Sequence, residues 1–294
     1  MYTNIIQTLF APVTKIEDAV HLLELFSSMV YRNAIQQCIE KKKIDVRNLF
    51  IRFCNKIREE FEHYKQKPLL RENEPKYSGS VLWAQSLQDK VECAWKSVTS
   101  TSSCSIISSS DNEAQNAYNS LMSSINGFQE NRYKDWIESL SSYDSDALQR
   151  HLEIPVVRKI TFSEEKNRMN RTGNVMCNFE PFLLSLFGEF QYWEKVHDER
   201  FEIPHFVLRV CQQRSALRVS RELVMKVVRS YNSLLSDITV EEHRLFADHL
   251  RQLDKVIHYG LTKLQWASRS AVIEKYVQVS AVLSEMLIHV TSKL

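Results

Sequence analysis

Residues 173–204 change their hydrophobic period partway along, and this change constrains the fold more than any other stretch of the sequence. Val175, Cys177 and Phe179 alternate with less apolar neighbours, as in a half-buried strand. Beyond them the apolar residues recur at helical spacing: Leu183, Leu186, Phe187, Phe190 and Trp193. A strand is therefore predicted to run directly into a helix.

Three residues mark the start of this helix. Asn178 is predicted to be the N-cap, whose side-chain oxygen accepts a hydrogen bond from an unpaired N–H of the first turn. Glu180 places a negative charge near the positive end of the helix dipole. Pro181 lacks an N–H group where the helix needs none. We therefore expect the helix to begin directly after Asn178.

Turn-forming residues are scarce throughout the chain. Its 294 residues include only 5 Gly and 6 Pro, whereas sandwiches and barrels need a turn signal about every 8–12 residues. The sequence therefore predicts a mainly α protein, with well over the ~30–35% helix of an average domain. We expect an elongated bundle or rod of long antiparallel helices with one small β-hairpin.

Three segments are predicted along the chain. Residues 1–97 form an N-terminal helical bundle segment, in which the lysine run 41–43 separates two helices. Residues 98–112 form a serine-rich flexible loop, which is either inert or phosphorylated. Residues 113–294 form a second helical bundle, which carries the β-hairpin near 154–179.

No residue is a candidate for a catalytic, cofactor-binding or metal-binding role. The sequence contains no G-x-x-x-x-G-K-[ST] phosphate-binding loop, and its glycines are too widely separated to build another one. His243 and His249 face different directions on a helix, because ligands on one helix need i, i+3 or i+4 spacing. We therefore expect a non-catalytic segment without cofactor or metal.

Charge and hydropathy describe an ordinary solvated surface. The net charge of +2 carries no bias towards nucleic acid. No window reaches the ~18 uncharged apolar residues that a membrane span needs. The six cysteines lack C-x-x-C spacing, which is typical of reduced core residues. We therefore expect a cytoplasmic protein that neither binds nucleic acid nor inserts into a membrane.

A basic helix face is the main candidate for a partner surface. Arg214, Arg218 and Arg221 are predicted to share one face of a long helix. They form either a solvated basic face or a docking surface for an acidic chain, since Arg favours interface ion pairs. A nearby aromatic group is predicted to pack in the core: Phe187, Phe190, Tyr192 and Trp193.

Three motifs occur in order between residues 75 and 268. They read PKYSGSVLWAQSL, then VMCNFEP followed by an apolar helix and FEIP, and finally GLTKLQWAS. This series resembles the N-terminal stem, or tail, region of dynein heavy chains, especially the axonemal ones. Lys76 and Tyr77 depart from the family's usual Pro-Val. The positions that carry the resemblance are Pro75, Gly79, Trp83, Asn178, Phe179, Pro181, Pro204, Gly260 and Trp266.

The resemblance implies a helical stem without an active site of its own. Such a stem is expected to dimerise with another heavy chain, to bind intermediate and light chains, and to link a microtubule motor mechanically to cargo or to an axonemal doublet. ATP is expected only in the C-terminal motor, and the location in a cilium or flagellum. The alternative is a stand-alone helical tether or adaptor that lacks a motor.

Overall fold

The computed structural model describes residues 2–27, 33–99, 106, 112–141, 143, 145–160, 175–196, 198–238 and 244–291. The described residues are 78% helical and form eleven helices and one two-stranded antiparallel hairpin. The predicted mainly α class is confirmed. None of the described helices is both long enough and apolar enough to cross a membrane.

The helices follow one another along the chain, with the hairpin after the sixth. They are α1 (Tyr2–Phe10), α2 (Ile16–Ser27), α3 (Asn33–Tyr64), α4 (Lys76–Thr99), α5 (Asn112–Leu140), α6 (Ser145–Leu152), α7 (Pro181–Trp193), α8 (His205–Cys211), α9 (Arg214–Asp237), α10 (Ala247–Thr262) and α11 (Ser270–Thr291). The strands are β1 (Val157–Lys159) and β2 (Val175–Cys177).

The chain divides into two compact units. One contains Met1–Ser139 and Gln191–Asp198, and the other contains Leu140–Phe190 and Glu199–Leu294. The division therefore lies near residue 140 and not at the serine-rich segment, where we expected it. Most of that segment lies outside the described residues, while its first and last positions belong to α4 and α5.

α5 belongs to the first unit because aromatic rings of α3, α4 and α5 pack together. Phe61 of α3 stacks on Trp83 of α4 at 5.9 Å, and both rings meet the Phe128 ring of α5 edge-on. A second contact stacks Trp95 on Tyr118 at 4.5 Å. These aromatic pairs bury α5 against the same core as α3 and α4.

The lysine run 41–43 does not separate two helices, contrary to the sequence prediction. It lies inside α3, which continues without interruption from Asn33 to Tyr64. Lys42 pairs with Asp45 and Lys43 with Glu40, both at 2.8 Å and three residues apart. Lysine is a good helix former, and such pairs add to helix stability.

The second unit is built around the hairpin. β1 and β2 pair antiparallel, with Val157 opposite Cys177 and Lys159 opposite Val175. β1 packs against α10, β2 packs against α9, and α9 in turn packs against α11. The predicted hairpin near 154–179 is thus confirmed, flanked by helices as a two-stranded sheet requires.

Candidate functional site

Asn178 connects three segments that are distant in sequence. Its backbone N–H donates to the Val156 carbonyl at 2.9 Å, and its Nδ2 donates to the Pro155 carbonyl at 2.8 Å. Its own carbonyl accepts a hydrogen bond from the indole Nε1 of Trp266 at 2.6 Å. The N-cap assignment of Asn178 is therefore wrong, because α7 begins only at Pro181 and the Asn178 amide is bonded to the hairpin. Pro181 does occupy the first helical position, as predicted.

Trp266 also packs on the residue that follows Asn178. The rings of Phe179 and Trp266 meet edge-to-face at 4.9 Å, an arrangement that aromatic pairs prefer. Trp266 is 2% exposed, whereas Phe179 is only half-buried. The second and third motifs of the sequence therefore meet in space at the hairpin.

Gly260 lies where two other elements approach α10 closely. A Cβ atom on this residue would stand 2.5 Å from the Tyr276 hydroxyl oxygen of α11 and 3.2 Å from a methyl group of Val157 in β1. A contact of 2.5 Å is shorter than real Cβ atoms show, so a larger residue here would force the Tyr276 side chain or the packing of α10 against α11 to shift. The role of this motif residue is structural.

The first motif lies in the other unit and starts α4. Gly79 donates its N–H to the Pro75 carbonyl at 3.1 Å, in the first turn of the helix. A Cβ on Gly79 would lie 3.3 Å from the side chains of Leu70 and Glu74, so the preceding loop packs closely on this turn. Pro204 similarly precedes α8 and accepts a hydrogen bond from Val207 N–H at 3.0 Å. These residues organise helix starts.

The predicted basic face lies on α9, and the three arginines of this face differ in their surroundings. Arg214 donates from Nη1 to the Cys211 carbonyl at 3.1 Å, and its guanidinium lies 4.8 Å from the centre of the Phe190 ring. Arg218 is exposed, with its guanidinium 6.0 Å from the ring centre of Phe187. Both rings belong to α7, so the aromatic side chains of α7 position these two cations.

Arg221, the third member, forms an ion pair with its neighbour. Its Nη1 lies 2.7 Å from Oε1 of Glu222, whose side chain is largely exposed. The long helix predicted here is in fact interrupted at residues 212–213, between α8 and α9. The prediction of core packing is confirmed for the buried Phe187, Phe190 and Trp193, whereas Tyr192 is half-buried.

A groove of about 650 Å³ runs between β2, the start of α7 and α9. Its walls include Met176 and Cys177 from β2, and Arg221, Met225 and Arg229 from α9. Sequence reasoning missed this groove. The i, i+4, i+8 spacing of the three α9 residues was the available signal, because such residues lie along one side of a helix.

Burial favours the neutral forms of two side chains of the second unit, Cys177 and Tyr231. Burial raises the pKa of the Cys177 thiol to about 11, although the nearby positive charge of Arg221 acts in the opposite direction. Burial also raises the pKa of Tyr231, whose hydroxyl donates to Asp254 at 2.8 Å. At neutral pH the Cys177 side chain is therefore a thiol and a poor nucleophile. Within the described ranges, no three His, Cys, Asp or Glu side chains are grouped so as to hold a metal ion.

The fold and these surfaces define a helical scaffold whose most distinctive residues join helices to a small hairpin. Residues 1–276 match the dynein heavy chain, N-terminal region 1 family. The chain belongs to this family, as the three motifs predicted.

Its relatives include axonemal heavy chains from animals and algae. The chain is 31% identical to dynein axonemal heavy chain 2 of Mus musculus and to that of Homo sapiens, over 92% of its own length in each case. It is 29% identical, over 94% of its length, to the dynein-1-beta heavy chain of the flagellar inner arm I1 complex of Chlamydomonas reinhardtii. In all three comparisons the chain spans 6% of the relative's length.

Proposed function

We propose that this chain is an assembly segment of an axonemal dynein stem. It docks intermediate and light chains, pairs with another heavy chain, and transmits force between a microtubule motor and its cargo or axonemal doublet. The family match over residues 1–276 and the axonemal relatives support this role. The segment acts in the cytoplasm, within the axoneme of a cilium or flagellum.

In this proposal the segment performs no catalysis and binds no cofactor. ATP is used by the motor region of the heavy chain to which such a stem belongs. The positions that carry the resemblance support a scaffold role, since Asn178, Gly260 and Trp266 form packing and backbone contacts inside one unit.

The docking proposal rests on those arginines of α9 whose side chains are held in place by aromatic rings. The guanidinium groups of Arg214 and Arg218 lie over the aromatic rings of α7, and Arg218 remains exposed. A cation that is already positioned loses less conformational freedom when it pairs with a carboxylate. Together with the partly exposed Arg221, this face is suited to an acidic surface of an accessory chain.

Charge reversal tests this face directly. We would compare recovery of axonemal intermediate chains by the 294-residue chain and by its Arg218→Glu/Arg221→Glu variant. Arg214 is left intact, because it also binds the Cys211 carbonyl and contacts Phe190. The matched control is Arg251→Glu/Lys255→Glu, an equal charge change at exposed positions of α10.

We expect the α9 variant to recover much less intermediate chain at low salt, and the α10 control to recover as much as wild type. The difference should shrink in ~1 M salt, where the Debye length is about 3 Å and charges at the edge of an interface no longer steer association. Thermal melting of both variants should stay close to wild type, because exposed charges contribute little to folding. Equal recovery by both variants would show that this face is merely solvated.

A further inference from the structure

We propose that the groove between β2 and α9 binds an extended acidic peptide segment of a partner protein, which pairs with β2 as an added strand. The inference deepens the proposed function, since it specifies a partner segment for a surface that shares Arg221 with the basic face. Its test uses Arg229 and Ser233, which line the groove and do not belong to the basic face of Arg214, Arg218 and Arg221.

The hydrogen bonds of β2 show which of its peptide groups face the groove. Asn178 N–H donates to Val156, so this pair is hydrogen-bonded across the hairpin. Bonded and non-bonded pairs alternate in an antiparallel ladder. The N–H and C=O of Val175 and Cys177 therefore point away from β1. Asn232 Nδ2 confirms this direction, because it donates to the outward Val175 carbonyl at 2.9 Å.

This outward edge is occupied at one end only. Val175 is buried and its carbonyl is bonded to Asn232, whereas Cys177 is half-buried and lines the groove. Among the described residues, no partner is recorded for the N–H or C=O of Cys177. An extended peptide can satisfy both groups, which is the basis of strand addition. A helix cannot do so, because its own backbone groups are already paired.

The groove has apolar walls and a charged rim. Met176, Leu184 and Met225 line it with half-buried side chains that are suited to apolar residues of a peptide. Arg229 is exposed, and no ion-pair partner for it is found within the described residues. Arg221 contributes a second positive charge beside Glu222.

The opposite end of the groove is less favourable for a negative charge. Asp237 lines it there and accepts a hydrogen bond from the Ser233 hydroxyl at 3.1 Å. The charge distribution therefore assigns an acidic side chain of the peptide to the Arg221 and Arg229 end.

Selection from a random dodecapeptide display library on the 294-residue chain tests the proposal. Ser233→Trp places an indole in the groove from an exposed position, and Arg229→Glu reverses the rim charge. Lys226→Glu is the matched control, because Lys226 is exposed on the same helix and does not line the groove. Circular dichroism and melting confirm that each variant is folded.

We expect the selected peptides to contain an acidic residue within an apolar, β-branched sequence. Their affinity should fall about tenfold or more with Arg229→Glu, be abolished by Ser233→Trp, and change less than twofold with Lys226→Glu. N-methylation of alternate peptide bonds should also abolish binding, because it removes the donor that pairs with the Cys177 carbonyl.

Two results would overturn the proposal. One is a selection in which no peptide depends on Ser233 or Arg229. The other is a selected peptide that binds as a helix and tolerates backbone N-methylation. Either result can occur while Arg218→Glu/Arg221→Glu still loses intermediate chains, so failure of the groove and failure of the basic face are distinguishable.

Discussion

The indole N–H of Trp266 donates a hydrogen bond to the backbone carbonyl of Asn178, which lies 88 residues earlier, at 2.6 Å. Asn178 is in turn bonded through its side chain to the Pro155 carbonyl. One tryptophan thus stabilises the point where β1, β2 and the end of α10 come together.

Two replacements of Trp266 should separate the contribution of its hydrogen bond to stability from the contribution of its packing. Trp266→Phe leaves the partly buried Asn178 carbonyl without its donor, which costs about 0.5–1.5 kcal/mol. Trp266→Ala also leaves a cavity and should cost about 3–5 kcal/mol. Urea denaturation of both variants measures the two free energies of unfolding. Tyr259→Phe, at a 39% exposed position, is the control and should be near neutral. A near-neutral Trp266→Phe would contradict a separate role for the N–H group, whereas equal losses for Phe and Ala would contradict the contribution of packing.

Gly260→Ala should destabilise the protein because its Cβ would overlap the Tyr276 hydroxyl group. Overpacking of this kind costs about 1–3 kcal/mol. Gly188→Ala in α7 is the control, since nothing lies within 4 Å of its Cβ position. That substitution should stabilise the helix by about 0.5–1 kcal/mol. Thermal melting checks this, because the melting temperature should fall for Gly260→Ala and rise for Gly188→Ala.

Tyr276→Phe should partly rescue Gly260→Ala. It removes the hydroxyl oxygen at 2.5 Å but leaves the ring carbon at 2.9 Å from the added Cβ. A double variant no more stable than Gly260→Ala alone would place the strain elsewhere, for example against Val157.

The buried thiol of Cys54 should make stability depend on pH in the alkaline range. Burial raises the pKa of Cys54 from 9.0 to about 11, while Arg58 acts in the opposite direction. The raised pKa means that the unfolded chain loses this proton first. The contribution of Cys54 is therefore fully present below about pH 9 and is lost as the pH rises to about 11.

The size of this contribution is on the order of 2 kcal/mol. Urea midpoints from pH 8 to pH 11 should fall more steeply for wild type than for Cys54→Ala, because all other titrating groups are common to both proteins. Parallel profiles would show that titration of Cys54 does not contribute to the pH dependence of stability.

Arg214→Ala should cost more stability than Arg229→Ala. Arg214 lies 4.8 Å from the centre of the Phe190 ring and binds the Cys211 carbonyl, so its loss should cost about 0.5–2 kcal/mol. Arg229 is exposed, and its replacement should stay within about 0.5 kcal/mol of wild type. Chemical denaturation of both variants makes the comparison, and a larger loss for Arg229 would contradict it.

The helices and the hairpin could be predicted from local pattern, because hydrophobic period reports which faces of an element are buried. Val175 and Cys177 show this for β2. The period does not report whether charges interrupt a helix. The lysine run 41–43 continues α3, since Lys42 and Lys43 pair with acids one turn away.

Contacts between distant residues could not be predicted from the pattern. Asn178 is a good N-cap by residue type, but its amide instead bonds Pro155. The positions of Gly260 and Trp266 were identified as motif residues, whereas their contacts with Tyr276 and Asn178 depend on tertiary packing. The groove lined by Cys177 and Arg229 could not be predicted either, because β2 and α9, which form it, are distant in sequence.

Hydrogen bonds between residues 152–156 and 264–267 have a mechanical consequence. Val156 N–H donates to Leu264, Ala267 N–H donates to Leu152, and Pro155 forms an isolated bridge with Gln265. These bonds close a loop that contains β1, β2 and α7–α10. Residues 152 and 267 lie together at the open end of this antiparallel pairing, so tension on the chain between α6 and α11 opens its hydrogen bonds one after another from that end. The chain inside the loop is extended only after these bonds have opened.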